Sequence, residues 1–421
     1  MNVLLLGSGG REHALAWAIA ASPLLSKLYC APGNAGIAEL ATCVPLDITD
    51  HAALAEFCRA NRVDLVVVGP EAPLVAGVAN DLAAAGFKVF GPTREAARLE
   101  GSKGFTKDLC RELGIPTAAY GRFSDAASAK DFARSQKLPV VVKADGLAAG
   151  KGVVIAETHA AAEEAIDACF GGSFGAAGAE VVIEEFLEGE EASFFALVDG
   201  KTALPLGAAQ DHKRAFDADK GPNTGGMGAY SPVPVVDDAL LAEVMDRFVD
   251  PTLAALRRRG IDYRGVLYAG LMLTPDGPRM LEYNVRFGDP ECQVVVPRMT
   301  SDLAVLLAQA ASGAIASTPT FTEDHMVTVV CASEGYPSSP RTGDRIEGID
   351  EAASLPGVTV FCAGVGGADG GGLVTAGGRV LDVCGTGPTL AEARSRAYEA
   401  VSRISWPGMQ HRGDIAEAAA S

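Results

Sequence analysis

The run PVVVKADGLAAGKGVVIAE, residues 139–157, constrains the fold more than any other stretch. Its glycine-rich loop carries Lys143 and Lys151 between two short β-branched runs, so it joins a strand to a strand. A P-loop needs G-x-x-x-x-G-K-[ST] opening a helix, because the hydroxyl holds magnesium and the helix N-terminus faces the phosphates. Here Gly146 and Gly150 stand one residue too close, and Lys151 is followed by Gly152. The expectation is a β-hairpin armed with two lysines, not a P-loop fold.

A chain of 421 residues is expected to form on the order of two to four domains. The first ninety residues alternate apolar runs ending in glycine (NVLLLGSG, DLVVVGP, KVFGP) with helical spacing (REHALAWAIAAS, APLVAGVANDLAAAG). That pattern predicts an open parallel α/β sheet, whose ligands sit at the carboxyl ends of the strands. A helix SKGFTKDLCRELG follows, then mixed strands with one helix over residues 116–190. Residues 191–312 alternate strands with glycine-rich loops and include the helix DDALLAEVMDRFVDPTLAALRRRG. From about residue 325, HMVTVVCASEGYP, GVTVFCAGVG and GRVLDVCGTG predict a smaller β-rich unit closed by TLAEARSRAYEAVSRI, with a loose tail after Trp406. The start MNVLLLGSGGREH reads as a first strand, not a signal peptide, and no apolar run is long enough to cross a membrane.

With 53 acidic and 35 basic residues, the formal charge of −18 disfavours nucleic acid and acidic membranes as partners. A small anionic ligand would therefore need cations concentrated at its site. The nine cysteines are scattered without C-x-x-C pairs, which suits free thiols in a reducing cytoplasm.

GSGGREH, residues 7–13, ends the first strand and opens a helix, where backbone amides approach a phosphate or phosphosugar. A structural tight turn is the alternative. The dinucleotide fingerprint fails, because it requires glycine at Glu12, which counts against an NAD-dependent dehydrogenase. Glu71, after the second apolar strand, is expected on the same sheet edge. In EVVIEEFLEGEEASF the backbone from Glu185 to Leu187 offers an adenine-binding edge and a later carboxylate a ribose partner; the competing reading is a solvated acidic hairpin.

Along RMLEYNVRFGDPECQ, strand alternation puts Met280, Glu282, Asn284 and Arg286 on one face and Leu281, Tyr283 and Val285 on the other. Glu282 and Asn284 suit a hard cation that takes its remaining ligands from phosphates. Arg286 suits a phosphoryl group or a carboxylate. An exposed polar edge strand is the bland reading. The loop from Asp211 to Pro232 sets Lys213 and Arg214 beside flexible glycines, as in a segment that closes over an anion. His212 is an orienting or exposed residue more readily than a general base.

Taken in order, GSGGREHA, PGNAG, GPEAPL, KADGLAAGKGV, EEFLEGEEAS, DHKR, GPNTGGMGAYSP and RFGDPECQ resemble the ATP-grasp superfamily and, within it, the family of phosphoribosylamine–glycine ligases. The resemblance implies an N-terminal substrate domain (1–102), an ATP-grasp core of two α+β subdomains (103–312, with a nucleotide lid at 116–190) and a C-terminal domain (325–421). It implies ATP-dependent ligation of glycine to 5-phosphoribosylamine through a glycyl phosphate, with Mg2+ or Mn2+, in a cytoplasmic monomer or weak homodimer. Position by position it makes Lys103 and Lys143 phosphate ligands and residues 146–152, with Gly150, Lys151 and Gly152, a mobile cover. Glu184, Glu185, Phe186 and Leu187 become the adenine connection, Glu191 the ribose partner, and Glu282 and Asn284 the metal ligands. Gly9, Gly10, Arg11, Glu12 and Glu71 are then assigned to the phosphosugar, and Gly225, Gly226 and Met227 to substrate. Asp211, Lys213 and Arg286 serve the chemistry, with Asp289 facing the glycine ammonium. The strand VLYAGLML offers no acidic ligand for a second metal. A different carboxylate–amine ligase and a non-catalytic nucleotide sensor are the remaining alternatives.

Overall fold

The computed structural model describes residues 1–147, 152–173, 175–368 and 370–420. The N-terminal sheet has the order β3-β2-β1-β4-β5 and is parallel throughout, built from β1 (Asn2–Gly7), β2 (Lys27–Pro32), β3 (Thr42–Cys43), β4 (Leu65–Val68) and β5 (Val89–Phe90). Helices cover it on both faces, so Val3–Leu6 and Leu65–Val68 are uninterrupted apolar runs. The strands β2 and β3 escape the sequence reading because neither is an uninterrupted β-branched run. The expected single helix after β4 is two, Glu71–Ala76 and Val78–Ala84, because Gly77 takes φ +94 between them.

Residues 120–185 form a second, antiparallel sheet of order β6-β9-β7-β8, with β6 (Tyr120–Phe123), β7 (Val140–Ala144), β8 (Val153–Ala156) and β9 (Val181–Glu185). The lysine-bearing loop does join two antiparallel strands, β7 and β8. Two helices pack on this sheet, Ala126–Ser135 and His159–Ala168, where the sequence reading has one. Both are alanine-rich, which blurs their apolar stripe, and both carry side-chain N-caps at Asp125 and Thr158. Ala129, Ala133, Val140, Val142, Ile166, Val181 and Ile183 form a core of their own.

The largest sheet is antiparallel, of order β16-β15-β10-β11-β14-β17-β21-β18. Its strands are β10 (Glu190–Asp199), β11 (Ala203–Asp211), β14 (Gly228–Ser231), β15 (Arg264–Thr274), β16 (Gly277–Asn284), β17 (His325–Ala332), β18 (Val358–Cys362) and β21 (Arg379–Gly387). The ribbon β12 (Arg214–Phe216) and β13 (Lys220–Asn223) projects between β11 and β14, and β19 (Val365–Gly367) pairs with β20 (Leu373–Thr375). The strands expected of a separate C-terminal unit thus continue the central sheet across the β14–β17 pair. The helix Gly10–Ala20 bridges the same parts: His13 Nδ1 accepts from the Cys362 amide at 2.8 Å. The tail expected to be loose is packed down, with Arg412, Ile415 and Ala416 at most 1% exposed. The short apolar pair Ile415-Ala416 carries no periodic signal, so only tertiary packing reveals it. Among the described residues no helix is long and apolar enough to cross a membrane.

Candidate active site

A cleft of about 1000 Å³ lies where the 120–185 sheet faces the central sheet. The connection Phe186–Gly189 forms part of its wall, because β9 belongs to one sheet and β10 to the other. The acidic-hairpin reading of this stretch is thereby excluded: the two strands do not pair. Val141, Val153, Ile155, Leu187, Met272 and Leu281 supply an apolar surface, while Lys143, Glu191, Asp211, Lys213 and Glu282 supply charge.

The sequence reading places Met280 on the face of Glu282 and Leu281 opposite; the structure corrects this. A β-bulge in the β15–β16 register, between Gly270 and Leu271, breaks strict alternation there. Met280 is fully buried, and Leu281 and Glu282 both line the cleft. Tyr283 and Val285 remain in the core as expected. Asn284 Nδ2 donates to Glu282 Oε1 at 3.3 Å, which keeps the amide and the carboxylate side by side.

Lysines from three elements converge on Glu282. Burial would push its carboxyl up, but Lys213, Lys143 and Lys103 hold it below the usual range, so it stays ionised. Lys103, at the start of the helix Lys103–Leu113, donates to the Gly146 carbonyl at 2.9 Å and is lowered by burial. Lys143 Nζ lies 2.9 Å from Glu184 Oε1, near enough to pair but not aligned as a hydrogen bond. Glu184, 2% exposed, also pairs with buried Lys107 at 2.7 Å. Burial opposes its charge, but the two lysines keep it below the carboxylate range. Lys213 lies 2.8 Å from Asp211 and 3.2 Å from Glu191; despite burial, these carboxylates raise its pKa well above normal. Glu185 accepts from the Ala119 amide at 2.9 Å, and Phe186 is half-exposed at the cleft wall. Gly152 is buried next to β8; Gly150 and Lys151 lie outside the described residues.

A second charged cluster adjoins at the carboxyl edge of the parallel sheet. Arg286 pairs with Glu100 at 2.7 Å and Glu71 at 3.2 Å, and Arg11 lies 3.9 Å from Glu71. Burial opposes it, but these two arginines pull the Glu71 carboxyl down to about 2. Glu12 fills the turn after β1: Oε2 accepts from the Gly9 amide at 2.7 Å and Oε1 pairs with Arg11 at 2.6 Å. A Cβ at Gly69 would lie 2.1 Å from Glu12 Oε1, so the turns after β1 and β4 close on this carboxylate. The approach a dinucleotide would need is filled. Gly10 is equally confined, since a Cβ there would meet Asp382 Oδ2 at 1.8 Å. Asp289 Oδ2 pairs with Arg379 at 3.0 Å and Oδ1 accepts from Gln293 at 2.7 Å. Arg379 also donates to the Gly225 carbonyl at 2.8 Å, which ties the GPNTGGMG loop to the GDPE turn. Gly226 donates to Thr224 Oγ1 at 3.0 Å; Met227 turns its side chain into the core. His212 Nε2 accepts from the Ala416 amide at 3.2 Å, and burial lowers its pKa.

Sequence reasoning missed Lys107, Glu100, Glu291, Arg379, Asp382 and Arg412. Lys107 and Glu184 stand 77 positions apart and Glu100 and Arg286 stand 186 apart, so no local spacing reports either pair. Glu291, inside the quoted GDPECQ, was readable: it is 4% exposed and accepts from Tyr268 at 2.8 Å.

No group of three or more His, Cys, Asp or Glu side chains poised for a metal occurs among the described residues. The oxygen donors Glu282 and Asn284, adjacent and with the carboxylate held ionised, fit a cation that takes most of its ligands from phosphates.

Comparison with known proteins agrees with this arrangement along the chain. Family models of phosphoribosylglycinamide synthetase match as the N domain at residues 1–100, the ATP-grasp (A) domain at 101–292 and the C domain at 326–418. A phosphoribosylamine–glycine ligase of Mesorhizobium japonicum is 59% identical over 416 residues, 99% of this chain and 97% of that protein. The chloroplastic phosphoribosylamine–glycine ligase of Arabidopsis thaliana is 53% identical, over 96% of this chain and 78% of its own. The crystal structure of the Thermotoga maritima phosphoribosylamine–glycine ligase superposes with a TM-score of 0.85 at 36% identity, covering 99% of this chain and all of that one. A Campylobacter jejuni biotin carboxylase shares the fold at 15% identity, with a TM-score of 0.75 over 97% of this chain and 92% of its own. From its parallel N-terminal sheet to its C-terminal strands, the chain belongs to the phosphoribosylglycinamide synthetase family.

Proposed function

We propose that the protein joins glycine to 5-phosphoribosylamine at the expense of ATP, giving glycinamide ribonucleotide, ADP and phosphate. The observation that carries the reading is a cleft walled by residues 184–191 and lined by Lys143, Lys213 and Glu282, where the charges of these two lysines and of Lys103 keep the Glu282 carboxyl ionised. In a chain of net charge −18, three lysines around one carboxylate form a local site for a polyanion with its cation. Adenine lies against Val141, Val153, Ile155, Leu187 and the Glu185–Leu187 backbone, and Glu191 accepts from the ribose. Glu282 and Asn284 would hold the cation, Mg2+ or Mn2+, which when bound would neutralise phosphate charge during transfer.

The chemistry then has two steps. A glycine carboxylate oxygen attacks the γ-phosphorus in line, and the bond to the β–γ bridging oxygen breaks with ADP leaving. The lysines and Arg286 offset the charge that develops, and Asp289, oriented by Arg379 and Gln293, faces the glycine ammonium. The phosphoribosylamine nitrogen next attacks the acyl carbon; phosphate leaves with the bonding pair and the amine sheds a proton. GSGGRE and Glu71 receive the phosphosugar, beside Arg11 and Arg286. A cytoplasmic setting, which nine free cysteines suit, and a monomer or weak homodimer complete the reading. Glycine labelled with 18O in its carboxylate tests the sequence of steps: one label is expected in the released phosphate. Unlabelled phosphate would rule out the acyl phosphate.

A further inference from the structure

The β12–β13 ribbon follows Lys213 directly and projects from the central sheet, with Phe216 half-exposed at its tip. Its turn holds Ala218 and Asp219 at φ +56 and +51, a left-handed conformation that non-glycine residues keep only when their surroundings enforce it. The enforcing contacts come from the far end of the chain. Ala218 N donates to Asp414 Oδ2 at 2.8 Å, Gly413 N donates to Asp217 Oδ1 at 2.8 Å, and Arg412 donates to Asp219 Oδ1 at 2.7 Å. Two further bonds bracket Lys213 itself: Arg412 donates to the Arg214 carbonyl at 3.2 Å and Ala416 N to His212 Nε2 at 3.2 Å.

The tail has its own anchor. Tyr398 donates to the Arg412 carbonyl at 2.8 Å and accepts from the Ile415 amide at 3.0 Å, while Ile415 is fully buried. The Arg412 side chain is 1% exposed although its partner Asp219 is 69% exposed, so a buried guanidinium reaches out to grip a surface turn. Arg412, Asp414 and Ala416 line the same cleft as Lys213 and Glu282.

We propose that residues 412–416 are a latch that fixes the Asp217–Asp219 turn and so sets Lys213 at the nucleotide, with Arg412 as its positioning residue. The guanidinium fork reaches Asp219, Asp414 and the Arg214 carbonyl at once, which a single ammonium cannot do. A freed turn would leave the Lys213 side chain to its pairs with Asp211 and Glu191, and ATP would have to order it against them on binding.

The test uses the full-length enzyme with Arg412→Met. The KM for ATP is expected to rise about tenfold while kcat stays within about threefold, and Arg412→Lys should recover part of the loss. Hydrogen exchange at the Ala218 and Thr224 amides should accelerate while the β1 amides keep their protection. An unchanged KM for ATP would overturn the latch; so would exchange that accelerates equally in β1, the mark of a residue that only stabilises the fold. Should Arg412→Met fail to fold, Asp219→Asn on the exposed turn carries the same two readouts. The latch rests on the reading of Lys213 as facing the nucleotide, and Lys213→Ala separates the two. Normal ATP use by Lys213→Ala removes that reading, whereas an impaired Lys213→Ala beside a neutral Arg412→Met removes the latch alone.

Discussion

Glu282 is held ionised by three lysines drawn from a helix start, a strand of the 120–185 sheet and the loop after β11. Replacing it with Gln keeps the shape and removes the charge. Glu282→Gln is expected to lower kcat by at least about 100-fold with an unchanged circular dichroism spectrum; near-normal turnover would move the cation site elsewhere. Asp382 shows the opposite balance. Burial first, and Asp289 second, raise its carboxyl to about 7 from an ordinary 3.8. Its Oδ1 is buried without a partner while Oδ2 accepts from Gln293 at 3.0 Å. The folded state therefore holds a proton that the unfolded chain releases between about pH 4 and 7, and stability falls as pH rises through that window. Each unit of such displacement is worth about 1.4 kcal/mol. Asp382→Asn should flatten the pH dependence of Tm over that window, and the same slope in the variant would show that Asp382 does not cause it.

At the scale of elements, the legible parts were those written in local periodicity. The β7–β8 hairpin was readable because β-branched runs flank a glycine loop, and the helix Lys103–Leu113 because Gly114, at φ +67, ends it. Alternation failed at Met280–Glu282, where a bulge set by the pairing with β15 overrode a period of two. The Phe186–Gly189 connection reads locally as a possible hairpin because acidic residues flank it, and nothing local says that β9 and β10 pair with different partners. That crossing has a dynamic consequence. The 120–185 sheet has a separate hydrophobic core and meets the rest of the chain across the cleft, and we propose that it moves as a unit. Saturating ATP with magnesium is expected to slow hydrogen exchange in β7, β8 and β9 at least several-fold and to leave β1 and β4 unchanged. Equal protection of both sheets would argue against a lid.

For the whole molecule, composition foretold where charge must gather but not how the ends of the chain meet. A formal charge of −18 required clustered cations, and the cleft and the Arg11–Arg286 cluster provide them. The order of the motifs revealed the family, because each motif keeps its own local chemistry. The C-terminal contribution stayed hidden, since Arg379 and Arg412 act on residues 90 and 193 positions away. The fold alone does not choose the reaction, as the biotin carboxylase of the same architecture shows. ADP release measured with each substrate omitted in turn tests the central claim. Release beyond one equivalent per enzyme is expected only with glycine and 5-phosphoribosylamine together, in step with glycinamide ribonucleotide; comparable release with bicarbonate or formate in place of glycine would contradict it.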